Sequence, residues 1–144
     1  MKLTSVFDSS EEIPAKYTCN NQNINPPLEW HDLPKNTQSL VLIVDDPDAP
    51  GGTWTHWLIW NIDPYVNIIN ENSVPAGAIE GINSSGKNIY DGPCPPSGTH
   101  HYFFRLYALD TTLNLNNNTE RNALIKAMDG HVLDYSELMG IYKK

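Results

Sequence analysis

Apolar residues along this chain fall into short runs separated by clusters of Gly, Pro and Asn. "SLVLIVD" (Ser39–Asp45) is continuously apolar, the pattern of a strand buried on both faces. "THWLIWNI" (Thr55–Ile62) and "HYFFRLYALD" (His101–Asp110) are aromatic and aliphatic, and read as two further strands. "AIEGIN" and the terminal "LMGIYKK" are weaker strand candidates, and "DYSELMG" reads either as a short helix or as the lead-in to a strand. One helix is predicted over "TERNALIKAMDG". Thr119 is its N-cap, Glu120 sits in the first turn, Leu124, Ala127 and Met128 form an apolar stripe, and Gly130 is the stop. The expectation is a mostly β chain with a few short helices and long structured loops, the kind of loops that carry function.

The length of 144 residues fits a single domain over 1–144. Such a chain buries roughly 70% of its unfolded surface, enough for an independent core. Net charge is −8 and the isoelectric point about 4.9, with basic residues scattered apart from a terminal "KK". That balance argues against a nucleic-acid partner and against general adsorption to anionic lipid surfaces. It leaves open one small pocket for an anion, because pocket chemistry is local. No apolar run approaches the roughly 18 residues of a membrane span, so stable membrane insertion is not expected. "MKLTSVFDSSEEIP" lacks the apolar core of a secretory signal, and a cytoplasmic chain is expected. The two cysteines, Cys19 and Cys94, are read as free thiols, with a single bridge or a redox-sensitive pair as the alternatives.

Three stretches could carry chemistry. "DDPDAP" (Asp45–Pro50) places three carboxylates and two prolines directly after an apolar strand. "WTHWLIW" (Trp54–Trp60) sets His56 between tryptophans; strict alternation puts His56, Leu58 and Trp60 on one face and Trp57 and Ile59 on the other. "YDGPCPPSGTHHY" (Tyr90–Tyr102) is a Gly/Pro-rich loop that ends in His100 and His101. Adjacent strand residues face opposite ways, so only one of these imidazoles lines a given pocket; Tyr102 is read on the face opposite His100 if the strand has already begun there, the preceding turn being able to break the alternation. Pro93, Pro95 and Pro96 lack backbone donors, and Gly92 and Gly98 permit close backbone approach. Together these stretches suggest a cleft of two imidazoles, a carboxylate, aromatic walls and a carbonyl-lined loop. Histidines and backbone N–H groups would take an anion there, while Asp46 and loop carbonyls would take an ammonium or hydroxyl.

These stretches, with "IPAKYTCNNQNINPPLEW" and the closing "GHVLDYSELMGIY", closely resemble the phosphatidylethanolamine-binding protein family in its bacterial and archaeal Raf-kinase-inhibitor-like branch. The likeness runs in order through nearly the whole chain. It implies a two-sheet β fold, a Greek-key sandwich with short peripheral helices, and a small pocket for phosphate, phosphate-like anions or a phosphoethanolamine head group. The pocket residues it implies are Asp46, Asp48, Trp54, His56, Gly92, Pro96, His100 and Tyr102, and it suggests a cis peptide at Ala49–Pro50. Two departures stand out. His101 occupies a position where the branch usually has arginine, and Asp91 one where glycine is commoner; both predict weaker anion binding.

The resemblance points to non-catalytic binding of phosphorylated small molecules or phospholipid head groups, with a protein kinase or protease as a partner to inhibit, and to a homodimer. No cofactor is expected. No residue set forms a nucleophile–base–orienter chain, and Ser97 sits in a Pro/Gly turn without an elbow-type motif. The alternatives are a metal-dependent enzyme using Asp46, His56 and His100, and an interaction protein with a vestigial cleft, its interface served by aromatics such as Trp30 or Tyr142. A histidine-centred anion site should bind more tightly as pH falls from about 8 to 6, with Asp46 favouring the imidazolium.

Overall fold

The computed structural model describes residues 1–144. Eight strands form two antiparallel sheets. β1 (Lys2–Thr4), β2 (Leu28–His31) and β5 (Ile68–Ile69) make the small sheet, in the order β1-β2-β5. The large sheet holds β3 (Ser39–Asp46), β4 (Trp54–Ile62), β6 (Ile79–Glu80), β7 (Thr99–Leu109) and β8 (Val132–Lys143), in the order β6-β4-β3-β7-β8. Within it β3, β4 and β6 follow one another and β7 returns beside β3, which is the Greek-key order. The mostly β, two-sheet architecture read from the sequence is therefore the one present.

The large sheet is covered on both sides, which is why β3 is apolar at every step from Leu40 to Val44. One face packs Leu40, Leu42, Val44, Trp57, Ile59, Tyr102, Phe104 and Leu106 against Leu3, Leu28, Trp30 and Ile69 of the small sheet. The other packs Val41, Ile43, Leu58 and Trp60 against Leu124 and Met128 of α1 (Arg121–Met128). Trp30 and Tyr142 both lie in the main core, so neither is an exposed interface aromatic.

Two elements differ from the sequence reading. The helix starts one residue later than expected: Glu120 is the N-cap, with no side-chain cap, and the Thr119 hydroxyl donates to the Asn116 carbonyl instead. The ambiguous "DYSELMG" belongs to the long strand β8, whose inward positions Leu138, Gly140 and Tyr142 are buried. Part of the free edge of β8 is closed by an N-terminal segment. Ser10 N–H donates to the Met139 carbonyl (2.7 Å) and Ile13 N–H to the Ile141 carbonyl (2.8 Å). A Cβ at Gly140 would stand 2.5 Å from Ile13 and 2.7 Å from Phe7, so only glycine lets this cover sit down.

Candidate functional site

A cleft of about 330 Å³ opens where β3, β4 and β7 end near the 91–96 loop. Asp46, Trp54, His56, Gly92, Pro96, His100 and Tyr102 all line it, joined by Ala49, Pro50, Asp91, Cys94 and Pro95. Seven of the eight sequence-predicted residues are thus brought together. Asp48 is the exception: its carboxylate turns to the neighbouring surface and accepts from the backbone N–H of His101 (2.9 Å) and pairs with its Nδ1 (2.6 Å). This pairing draws the Asp48 pKa below the ordinary carboxylate value, the His101 hydrogen bond being its main cause. His101 therefore replaces an arginine without leaving Asp48 unpartnered.

The three acids of "DDPDAP" have three different jobs. Asp45 points to the α1 face and is fully buried between two guanidinium groups, Arg105 (3.0 Å) and Arg121 (3.1 Å). Asp46, one step on, faces the cleft; its Oδ1 accepts from the Asp48 N–H (2.8 Å) and its Oδ2 from His100 Nδ1 (2.6 Å). The turn that follows has no cis peptide, so Ala49–Pro50 is trans, contrary to the expectation from the resemblance.

His56 reaches the cleft by a register slip. Val44 pairs with Trp57 but Asp45 pairs with Thr55, which leaves His56 as the extra residue of a β-bulge. The bulge turns His56 to the same side as Trp57 and Tyr102. Its ring meets Tyr102 edge-on at 5.3 Å between centroids, while Leu58 and Trp60 face α1. The strict alternation expected for "WTHWLIW" fails at this one residue. Tyr102 in turn shares the face of His100, not the opposite one, because β7 is already regular from Thr99 and its two-residue period carries both inward.

Both imidazoles are held in one tautomer by groups that can only accept. His56 Nδ1–H donates to the Asp91 carbonyl and His100 Nδ1–H to the Asp46 carboxylate. Each ring thus turns Nε2, which has no intramolecular partner, toward the cavity. Burial holds the His56 pKa below its ordinary value, outweighing the pull of the Asp91 carbonyl and of the nearby acids. Asp46 was expected to win this contest at the histidines; at His56 desolvation does. Burial also raises the Tyr102 pKa, so its hydroxyl stays protonated.

The loop wall is pinned from behind. Gly92 N–H donates to Asn23 Oδ1 (2.8 Å), Cys19 N–H to the Pro93 carbonyl (3.2 Å) and the Tyr90 hydroxyl to the Tyr17 carbonyl (2.8 Å). A Cβ on Gly92 would overlap the Tyr17 carbonyl. Cys19 and Cys94 form a disulfide with Cα atoms 5.5 Å apart, which corrects the reading of two free thiols; a spacing of 75 residues carries no signal of it. Sequence reasoning also missed the buried pairing of Asp45, which no local pattern marks. No three His, Cys, Asp or Glu side chains are clustered to hold a metal ion. No helix is long and apolar enough to cross a membrane.

The comparisons agree with this geometry. The family model for phosphatidylethanolamine-binding proteins matches residues 3–143. A UPF0098 protein of Pyrococcus horikoshii is 52% identical over the whole chain and 77% of its own length. One from Methanothermobacter thermautotrophicus is 48% identical over 98% of this chain and 97% of its own. Among solved structures, a phosphatidylethanolamine-binding protein homologue from Chlamydia trachomatis superposes with a TM-score of 0.95 at 42% identity, covering 99% of this chain and 97% of that one. Escherichia coli YbcL, described as a member of the mammalian family, gives 0.93 at 28% identity over 99% and 98%. With a match across almost its whole length and the same fold, the chain belongs to the phosphatidylethanolamine-binding protein family.

Proposed function

We propose that the cleft binds phosphate-type anions and phosphorylated head groups of the phosphoethanolamine kind, and that it does so without catalysis. One observation carries this reading. Two imidazoles pack against the Tyr102 ring in a small cleft, each tied through Nδ1 and each with Nε2 free of an intramolecular partner. No nucleophile is poised there: Cys94 is locked in its disulfide, and no serine lines the cavity. Inhibition of a protein kinase or protease, and assembly as a homodimer, rest on the family likeness alone; fold fixes neither of them.

Isothermal titration calorimetry with inorganic phosphate and phosphoethanolamine tests the reading. The expected result is saturable one-to-one binding that His100→Ala removes, with the ligand recovered chemically unchanged. Absence of binding at millimolar ligand, or release of a hydrolysed product, refutes it.

A further inference from the structure

We propose that the cleft selects oxyanions that still carry a hydrogen, namely protonated phosphate and phosphomonoester groups, and rejects sulfate, with Asp91 setting that choice. The inference rests on the reading of the cleft as a phosphate-type site and specifies its ligand.

The groups that face the cavity are mostly acceptors. No lysine or arginine lines it, so it holds no permanent cation. Asp46 and Asp91 are both among its lining residues. The Asp91 carbonyl fixes the proton of His56 on Nδ1, which leaves a lone pair at Nε2 of the neutral ring. Around His56 stand Asp91, Asp46, His100 and Tyr102, with Asp45 behind the strand; none but His100 could bring a positive charge. Burial favours the neutral state of His56. Backbone donors are scarce as well, because Pro50, Pro95 and Pro96 have none and Gly92 N–H is already taken by Asn23.

Asp91 has acceptor capacity to spare. Its Oδ2 accepts from Ser85 Oγ at 2.8 Å and its Oδ1 weakly from Asn23 Nδ2 at 3.5 Å, and it has no ion-pair partner. A carboxylate offers about four lone-pair sites, so at least two remain for a ligand. Donors do exist on the other side of the cleft. Tyr102 and Trp54 line it and carry a hydroxyl and an indole N–H, and a protonated His100, tied through Nδ1 to Asp46, has a second donor at Nε2. A ligand must therefore meet donors with one edge and acceptors with the other. A phosphomonoester with a second pKa of roughly 6 presents both P–O⁻ and P–O–H. Sulfate presents only lone pairs and would set them against Asp91 and His56 Nε2, an unpaired contact that costs more than an unmade bond.

Calorimetry at constant ionic strength and about pH 6 with inorganic phosphate, phosphoethanolamine and sulfate decides it, on the wild type, Asp91→Asn and Asp91→Ser. The wild type should bind phosphate at least about tenfold tighter than sulfate, the scale of one charge-assisted hydrogen bond. Both variants should narrow that ratio by admitting sulfate, with an unchanged thermal midpoint. Equal wild-type affinity for phosphate and sulfate, or an unchanged ratio in the variants, overturns the inference alone. Failure of all three ligands to bind overturns the underlying reading too. Where phosphate is preferred over sulfate the inference is supported, and tighter binding of phosphoethanolamine than of phosphate then names a head group as the source, equal binding free phosphate.

Discussion

Removing the Cys19–Cys94 bridge should cost this protein a large share of its stability while leaving the cleft formed. The bridge closes a loop of 75 residues. The chain-entropy relation then assigns it about 15 cal/mol/K, or about 4.5 kcal/mol at 25 °C, through the unfolded state. With an unfolding entropy of about 2.1 cal/mol/K per residue, a chain of 144 residues loses about 15 °C of Tm. The native wall should persist, because Gly92, Pro93 and Tyr90 keep their hydrogen bonds to the 17–23 segment without the sulfurs. Calorimetric melts of the wild type, with and without dithiothreitol, and of the Cys19→Ser/Cys94→Ser variant provide the assay. Both cysteines are exposed, so a dithiol has access. A Tm loss below about 5 °C would show that the unfolded chain is already constrained. Loss of phosphate binding in the double variant would show that the bridge, not the hydrogen bonds, shapes the wall.

Three further outcomes follow from other parts of the structure. Gly140→Ala should destabilise by about 1–3 kcal/mol in urea unfolding, because the new methyl meets Ile13 and Phe7; an unchanged midpoint would mean that the N-terminal cover does not seat on β8. Asp45→Asn should cost about 2 kcal/mol, below the roughly 3–5 kcal/mol of a fully buried pair because Arg105 and Arg121 keep 22% and 30% of their side-chain surface in water; a neutral effect would place the two guanidiniums as self-sufficient. His56 titrates below its ordinary value when folded, so the unfolded chain binds more protons and unfolding is favoured by acid. Its stabilising contribution is complete above about pH 6.5 and falls as pH drops below that value; His56→Gln should flatten that slope in denaturant midpoints, and an unaltered slope would assign it to other groups.

The strands were legible because burial on two faces and burial on one leave different marks: β3 is apolar without a break from Leu40 to Val44, whereas β8 alternates and carries Asp134, Ser136 and Glu137 among its residues. That weak alternation is why its first half read equally as helix. The motifs located the cleft, since each of its three walls is contiguous in sequence. Facing was not legible. The bulge at His56 exists only in the pairing of β4 with β3, and a one-residue slip reverses the side a residue occupies. Pairing between Cys19 and Cys94 depends on two loops meeting, which their spacing does not encode. The missing cap at Thr119 has a local cause: its hydroxyl closes a turn on Asn116 and is unavailable to the helix.

The acids after β3 show how one short stretch separates stability from recognition. Asp45 and Asp46 are neighbours on a strand, so pleating alone sends one to each face. On the α1 side Asp45 finds two guanidiniums and becomes a structural counter-ion. On the cleft side Asp46 finds an imidazole and no guanidinium, so it orients His100 and leaves the cavity without a fixed cation. Arginine is thus present at this strand end but is held on the far face of the sheet. On the proposed reading, anion binding then depends on protons, carried by the histidines or the ligand itself, where a guanidinium would make it nearly independent of pH. Substituting an arginine near the cleft, as at His101→Arg, should therefore restore only the surface pair with Asp48. Phosphate affinity and its pH slope should stay within about twofold of wild type, as for any exposed ion pair. A marked gain in affinity with loss of the pH slope would show that position 101 acts on the cleft after all.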